Sequence, residues 1–295
     1  MKSGFVTLIG RPNVGKSTLM NELIGARIAI TSSKAQTTRH RIETVYTEER
    51  GQIVFLDTPG IHKAKNRLGD YMVGTAREAV GEVDLILWLV EPGDRFGESE
   101  ELVRSFVKNA KKPVILVINK CDLADEAGLA ACRQCFEQAY GFAAVLAVSA
   151  LQGTNRDELL TLIFRHLPEG PLFYDEDTLT DQTMRTLAAE FIREKALRHL
   201  SEEVPHGIAV EVEAYHEKPD GSADIEAAII CEKESHKGIV IGKGGATIKK
   251  IGTEARQELE ALTEAKVNLK LFVKVKKDWR NDPAFLKSLG YGKRT

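Results

Sequence analysis

Gly10-Arg11-Pro12-Asn13-Val14-Gly15-Lys16-Ser17, continued by Thr18, fits the pattern G-x-x-x-x-G-K-[ST] and lies between the apolar run Phe5 to Ile9 and a helical pattern. In that strand-to-helix context glycines let the backbone wrap an anion, and successive N–H groups and a helix N-terminus face it. The chemistry is phosphate binding. Lys16 is placed to reach the β and γ phosphates of a nucleoside triphosphate, and Ser17 to offer a hydroxyl to Mg²⁺.

The phosphates are common to ATP and GTP, so the base must be read elsewhere. Asn119-Lys120-Cys121-Asp122 follows the buried-strand pattern Pro113 to Ile118, which delivers it to the carboxyl edge of a parallel sheet, where ligands of such sheets bind. The Asp122 carboxylate can accept two hydrogen bonds from guanine N1–H and the N2 amino group. Adenine lacks that donor pair and would leave the acid desolvated and unpaired. Lys120 is expected to lay its stem along the nucleotide, and Asn119 to tie this loop to the phosphate loop.

Two more segments complete an ordered set of four: Asp57-Thr58-Pro59-Gly60 after the strand Ile53 to Leu56, and Ser149-Ala150 after the strand Ala144 to Val148. Their order and spacing resemble the translation-factor-like GTPases. That resemblance implies that Asp57 meets Mg²⁺ through water and that the Gly60 N–H senses the γ phosphate. It also makes Thr38, in Gln36-Thr37-Thr38-Arg39, the switch threonine whose hydroxyl completes the Mg²⁺ shell. Hydrolysis of GTP to GDP then releases a segment from about Ser32 to Arg41. Lys16, Thr38 and Gly60 are thus the expected catalytic groups. Where Ras-type enzymes carry a water-orienting glutamine, this chain has Ile61, so slow turnover by positioning and charge neutralisation is expected. Asn13 resembles the asparagine with which potassium-stimulated members hold K⁺, and it also suits a simple turn after Pro12.

These loops need a scaffold, and the βα rhythm that carries them predicts an α/β fold: a mostly parallel sheet flanked by helices over residues 1–170. The rhythm stops after a helix from Arg156 to His166, where Pro168 and Pro171 break the chain. The acidic stretch Tyr174 to Asp181 then reads as part of a linker over 171–182. With 295 residues, 43% hydrophobic and 28% charged, the chain is long enough for two domains and too polar for a membrane protein. The longest apolar stretch, Leu85 to Val90, has strand length, and an apolar run already at Phe5 leaves no room for a signal peptide, so a cytoplasmic location is expected. Four cysteines give no disulfide framework, and Cys132 and Cys135 read as ordinary helix residues.

Residues 183–295 change class, to a smaller α+β domain. A helix with Met184, Leu187, Ala188, Phe191, Ile192 and Ala196 on one face leads to the alternating strand Ile208 to Tyr215, a turn at Pro219-Asp220-Gly221 and a strand Ile225 to Cys231. A last strand, Val267 to Val275, follows more helix. Charge is split: Ser201 to Ser235 holds ten Asp/Glu against two Lys/Arg, and His236 to Thr295 fourteen Lys/Arg against six Asp/Glu. Within the basic stretch, Gly238-Ile239-Val240-Ile241-Gly242-Lys243-Gly244-Gly245 contains a G-x-x-G loop leading into a helix. In the KH RNA-binding module such a loop clamps about four nucleotides by their backbone. Ile241 and Gly242 to Gly245 are the expected contacts, with Lys237, Lys243, Lys249 and Lys250 adding salt-sensitive phosphate attraction. The element order is that of the prokaryotic, type II KH module. Trp279 and the residues after it are expected to cap this domain, with Phe285, Leu286 and Leu289 on one side of a closing helix.

A GTPase domain opening Gly10 to Thr18, the segment Lys34-Ala35-Gln36-Thr37-Thr38-Arg39-His40-Arg41 and a C-terminal KH module together resemble the Era family of bacterial GTPases over nearly the whole chain. The resemblance implies an assembly factor of the 30S subunit that binds the 3′ end of 16S rRNA, couples this to GTP state and associates peripherally with the inner membrane; nothing in the sequence suggests an obligate oligomer, so a monomer is expected. Cys121 is the mild departure within the nucleotide motifs. The alternative is a checkpoint or membrane-linked switch whose C-terminal domain contacts protein, and a passive RNA chaperone is the alternative without turnover.

Overall fold

A computed structural model of the chain describes every residue except Ser33, Ala35, Gln36 and Lys293 to Thr295. Part of the expected switch segment, Ser33, Ala35 and Gln36, therefore lies outside the described residues. The chain divides into two compact units, one built mainly of residues up to Asp181 and the other mainly of residues from Gln182 onward.

The first unit begins with strand β1 (Lys2–Ile9), helix α1 (Lys16–Ile24), the antiparallel pair β2 (Ile42–Glu48) and β3 (Gly51–Asp57), and helix α2 (Arg67–Glu82). Strand and helix then alternate through β4 (Leu85–Val90), α3 (Glu98–Ala110), β5 (Val114–Ile118), α4 (Glu126–Ala139), β6 (Ala144–Ala147) and α5 (Arg156–His166). The six strands form one sheet in the order β2-β3-β1-β4-β5-β6, parallel except for β2. Helices on both faces explain why β4, Leu-Ile-Leu-Trp-Leu-Val, is apolar without alternation: all six residues are buried. Trp88 in β4 meets Phe136 of α4 edge-on, with Phe96, Tyr140 and Phe142 around it. The loops after β1, β3, β5 and β6 all leave the carboxyl edge of the parallel strands, and these are the loops that carry the motifs.

Residues 171–181, expected as a linker, belong to the first unit and run along the outer edge of β2. The Val45 N–H donates to the Leu179 carbonyl at 2.9 Å, and the Thr180 hydroxyl to the Glu43 carbonyl at 2.6 Å. The Tyr174 hydroxyl donates to Glu43 Oε2 at 2.9 Å, and Gln52 Oε1 accepts from the N–H groups of Phe173 and Tyr174. Acidity made this stretch look solvated, but its backbone groups satisfy an edge strand that would otherwise stand open.

The second unit runs α6 (Met184–His199), β7 (Ala209–Glu217), β8 (Ala223–Cys231), α7 (Glu234–Ile241), α8 (Ala246–Thr263), β9 (Val267–Val275) and α9 (Pro283–Ser288). Its three-stranded sheet has the order β7-β8-β9, with β7 and β8 an antiparallel hairpin and β9 parallel to β8. Helices α6 and α8 pack together. Thr183 caps α6 by accepting from the Thr186 N–H. Burial on α6 extends past the expected apolar stripe to Glu190, Arg193, Glu194 and Lys195. These charges are paired: Arg193 Nε donates to Glu190 at 3.0 Å, and Lys195 Nζ to Glu194 at 3.0 Å and Glu258 at 2.6 Å. Trp279 is fully buried and donates its indole N–H to the Gly207 carbonyl at 3.0 Å, so the C-terminal segment closes the fold.

Candidate functional site

The loop between β1 and α1 presents Lys16 at the first helical position. Its ammonium folds back on the loop, donating to the carbonyls of Gly10 at 3.2 Å and Arg11 at 2.9 Å. Burial lowers its pKa to about 8, an effect the Asp57 charge opposes. Held by neutral carbonyls in a desolvated position, this cation is suited to exchanging those partners for anionic oxygens.

Next to it, three oxygens from three segments converge. Ser17 Oγ donates to Asp57 Oδ2 at 2.7 Å, Thr38 Oγ1 donates to the same oxygen at 3.1 Å, and the two hydroxyls lie 2.9 Å apart. Asp57 is wholly buried, burial raises its pKa against the hydrogen bonds from Ser17 and Thr38, and its Oδ1 has no hydrogen-bond partner. A buried carboxylate oxygen without a donor is costly, and an all-oxygen cluster with one free carboxylate oxygen fits a small hard divalent cation.

The segment after Asp57 approaches the phosphate loop closely. A Cβ at Gly60 would lie 2.8 Å from the Pro12 backbone, so only glycine brings its N–H this near. The Ile61 N–H donates to the Gly10 carbonyl at 3.1 Å, while its side chain is fully buried in the core with Ile9, Leu56 and Val80. His62, which the sequence reading passed over, places Nδ1 at 2.9 Å from the Gly60 carbonyl.

The base-reading loop is bonded to the phosphate loop. Asn119 Nδ2 donates to the Val14 carbonyl at 2.8 Å, and its Oδ1 accepts the Ala150 N–H at 3.0 Å, so one buried side chain joins three of the four motifs. Lys120 Nζ reaches the Asn13 carbonyl at 2.9 Å. Asn13 itself has φ 68°, a left-handed conformation that asparagine tolerates. Ser149 holds its own turn, accepting the Gln152 N–H on Oγ at 3.3 Å. Asp122 stands exposed in a single helical turn, Cys121–Leu123, where its carboxylate is open to a ligand edge. Burial and the neighbouring Asp122 charge raise the Cys121 thiol pKa.

Three acidic residues around the site, Glu91, Asp94 and Glu100, were missed as well. Arg11 forms ion pairs with Asp94 and, at 2.7 Å, with Glu100. Lys120 is paired with Glu91. Each partner is distant in sequence, and none has a recognisable motif.

In the second unit α7 ends at Ile241, a short turn covers Lys243–Gly245, and α8 begins at Ala246. Gly242, Gly244 and Gly245 have φ of 75°, 59° and 79°, and a Cβ at Gly242 would strike Thr247 Oγ1 at 2.2 Å. The space beside Gly244 is open. Lys243, Lys249 and Lys250 are exposed, Lys237 and Ile241 half-buried, and Val240 anchors the loop in the core. A bare backbone turn bordered by exposed ammonium groups can take a phosphodiester backbone.

Fold and site together define a P-loop GTPase domain joined to a KH domain. The family model described as 50S ribosome-binding GTPase matches residues 5–120, and that of the KH domain residues 203–280. GTPase Era of Alkaliphilus metalliredigens is 52% identical over 291 residues, covering 98% of this chain and 99% of the relative. GTPase Era of Clostridium perfringens is 50% identical over 292 residues, 99% of each. A solved variant of Aquifex aeolicus Era bound to GDP·AlF4⁻ superposes with TM-score 0.95 at 40% identity, covering 99% of this chain and 100% of that one. The same figures hold for a solved Era in complex with MgGDPNP and nucleotides 1506–1542 of 16S ribosomal RNA. The chain belongs to the Era family of GTPases.

Proposed function

We propose that this GTPase binds the 3′ end of 16S rRNA through the loop Gly242 to Gly245 and acts in assembly of the 30S subunit. The supporting observation is the left-handed glycine turn with open space beside Gly244 and exposed Lys243, Lys249 and Lys250. A relative of the same fold is solved with nucleotides 1506–1542 of 16S ribosomal RNA. The test is the affinity of the whole protein for a synthetic 16S 3′-end RNA: Lys243→Asp with Gly244→Asp should lower it by about two orders of magnitude. Undiminished binding by this variant would favour a domain that contacts protein.

In the nucleotide site Ser17, Thr38 and Asp57 are the proposed Mg²⁺ ligands, Asp57 through water. When bound, the ion neutralises charge on the β and γ phosphates. Lys16 trades its two carbonyl partners for phosphate oxygens, and the Gly60 N–H donates to the γ phosphate. No side chain at position 61 orients water, so turnover rests on these donors. Stimulation by K⁺ near Asn13 belongs to the same reading and is tested by replacing K⁺ with Na⁺. A cytoplasmic protein with peripheral attachment to the inner membrane is proposed as well; among the described residues no helix is long and apolar enough to cross a membrane.

Coupling of GTP state to RNA binding has a path through the chain. Thr38 precedes β2 closely, residues 171–181 are bonded to the edge of β2, and Thr183 starts α6 of the KH unit. GTP-dependent ordering at Thr38 is proposed to reach α6 by this route, because a ligand shifts an equilibrium only through differential interaction with its states.

A further inference from the structure

The turn Glu91-Pro92-Gly93-Asp94, at the end of β4, lies outside every motif read from the sequence, yet it holds both nucleotide loops. It is internally locked: the Glu91 N–H donates to Asp94 Oδ2 at 2.9 Å, and the Asp94 N–H to the Glu91 carbonyl at 3.1 Å. This leaves Asp94 Oδ1 for Arg11 of the phosphate loop and the Glu91 carboxylate for Lys120 of the base loop. The Arg11 guanidinium is also within 2.7 Å of Glu100, in the first turn of α3. The Asn119 N–H donates to the Val90 carbonyl at 2.9 Å, and Cys132 Sγ of α4 lies 3.5 Å from the Glu91 carbonyl, so the turn is fixed from behind.

We propose that this turn is a two-armed clasp that sets the separation of the phosphate and base loops, with Glu91 and Asp94 as positioning residues that govern how long a guanine nucleotide stays bound. One end of the nucleotide is held by the loop of Arg11 and the other by the loop of Lys120. A ligand spanning both dissociates when either loop moves away. Asp94 and Glu100 are 12% and 5% exposed, but the Arg11 side chain that they hold is 36% exposed, so solvent screens this arm too and its part is chiefly to fix the geometry of the loop. The Lys120 arm is about one-third exposed, and its contribution is mainly to hold a flexible stem in the rotamer that reaches Asn13. Neither acid touches the ligand: each acts through a basic residue on a loop.

The experiment uses the whole protein, a fluorescent GDP analogue chased with unlabelled GDP in stopped flow, and the melting temperature of the nucleotide-free form. Glu91→Gln and Asp94→Asn should each speed release by about fivefold, with the association rate constant and the nucleotide-free melting temperature unchanged. The double variant should release less than the product of the two effects, since both arms pull on one turn. Release within twofold of the parent in both variants would overturn the proposal. So would acceleration that tracks a loss of melting temperature, or multiplicative effects in the double variant, which would mean that the loops are held independently. Should Asp94→Asn fail to fold, Glu100→Gln, which neutralises the other acid on Arg11 and lies outside the phosphate loop, carries the same expectation for that arm.

Discussion

Ser17 Oγ donates a 2.7 Å hydrogen bond to one oxygen of Asp57, while the other oxygen of that buried carboxylate has no partner. The pair therefore offers a hydroxyl and a carboxylate oxygen side by side. Ser17→Ala and Asp57→Asn should each lower GTP turnover by about two orders of magnitude. The check is single-turnover hydrolysis across a magnesium titration: an unshifted magnesium midpoint would remove both residues from the ion's shell.

Lys16 has a pKa lowered to about 8, chiefly by burial. Its unfolded value is higher, so between the two values the unfolded chain binds more protons. Nucleotide-free stability should rise as pH increases from about 8 toward 10 and gain nothing from Lys16 below that window. Phosphates beside Lys16 raise its pKa again, so GDP binding at pH 9 should take up close to one proton, and at pH 7 almost none. Calorimetry in buffers of different ionisation enthalpy reads that number directly, and the same uptake at both pH values would contradict the assignment.

Asp122 stands exposed where guanine N1–H and N2 are expected. Asp122→Asn exchanges an acceptor for a donor and should shift preference from GTP toward XTP by about a hundredfold or more. Competition binding with the two triphosphates measures the ratio; an unaltered preference for GTP would place base reading elsewhere.

Tyr174 and Thr180 bond residues 171–181 to Glu43 at the start of β2. Tyr174→Phe with Thr180→Val should shrink the difference in RNA affinity between the GTP-analogue and GDP states by about threefold, with GTP affinity unchanged. Filter binding in the two states would show this. A difference equal to that of the parent protein would mean that the signal bypasses the strap.

The nucleotide motifs were legible because their chemistry is local: glycines, a lysine and an acid at fixed spacing after an apolar run leave few other readings. The element order of the second unit was equally legible, and the alternation expected of its first strand shows at its start, where Val210 and Val212 are buried and Glu213 is exposed. Strand β2 was not assigned, although it forms the edge of the main sheet. The acidic stretch before α6 read as a linker because its anchors, Glu43 and Gln52, stand more than a hundred residues earlier. Arg11 likewise finds Asp94 at a separation of 83 residues, where no periodicity reports a contact. On α6 the apolar stripe was visible, but the buried charges were not, because pairing partners such as Glu258 come from a different helix.

Ile61 occupies the place next to Gly60, its backbone bonded to Gly10 and its side chain sealed in the interior. A glutamine introduced there would have to bury its amide or pull this segment away from the phosphate loop. This enzyme's clock cannot be quickened by borrowing the missing side chain at that position. Any acceleration has to come from a group other than this side chain, such as the K⁺ proposed near Asn13.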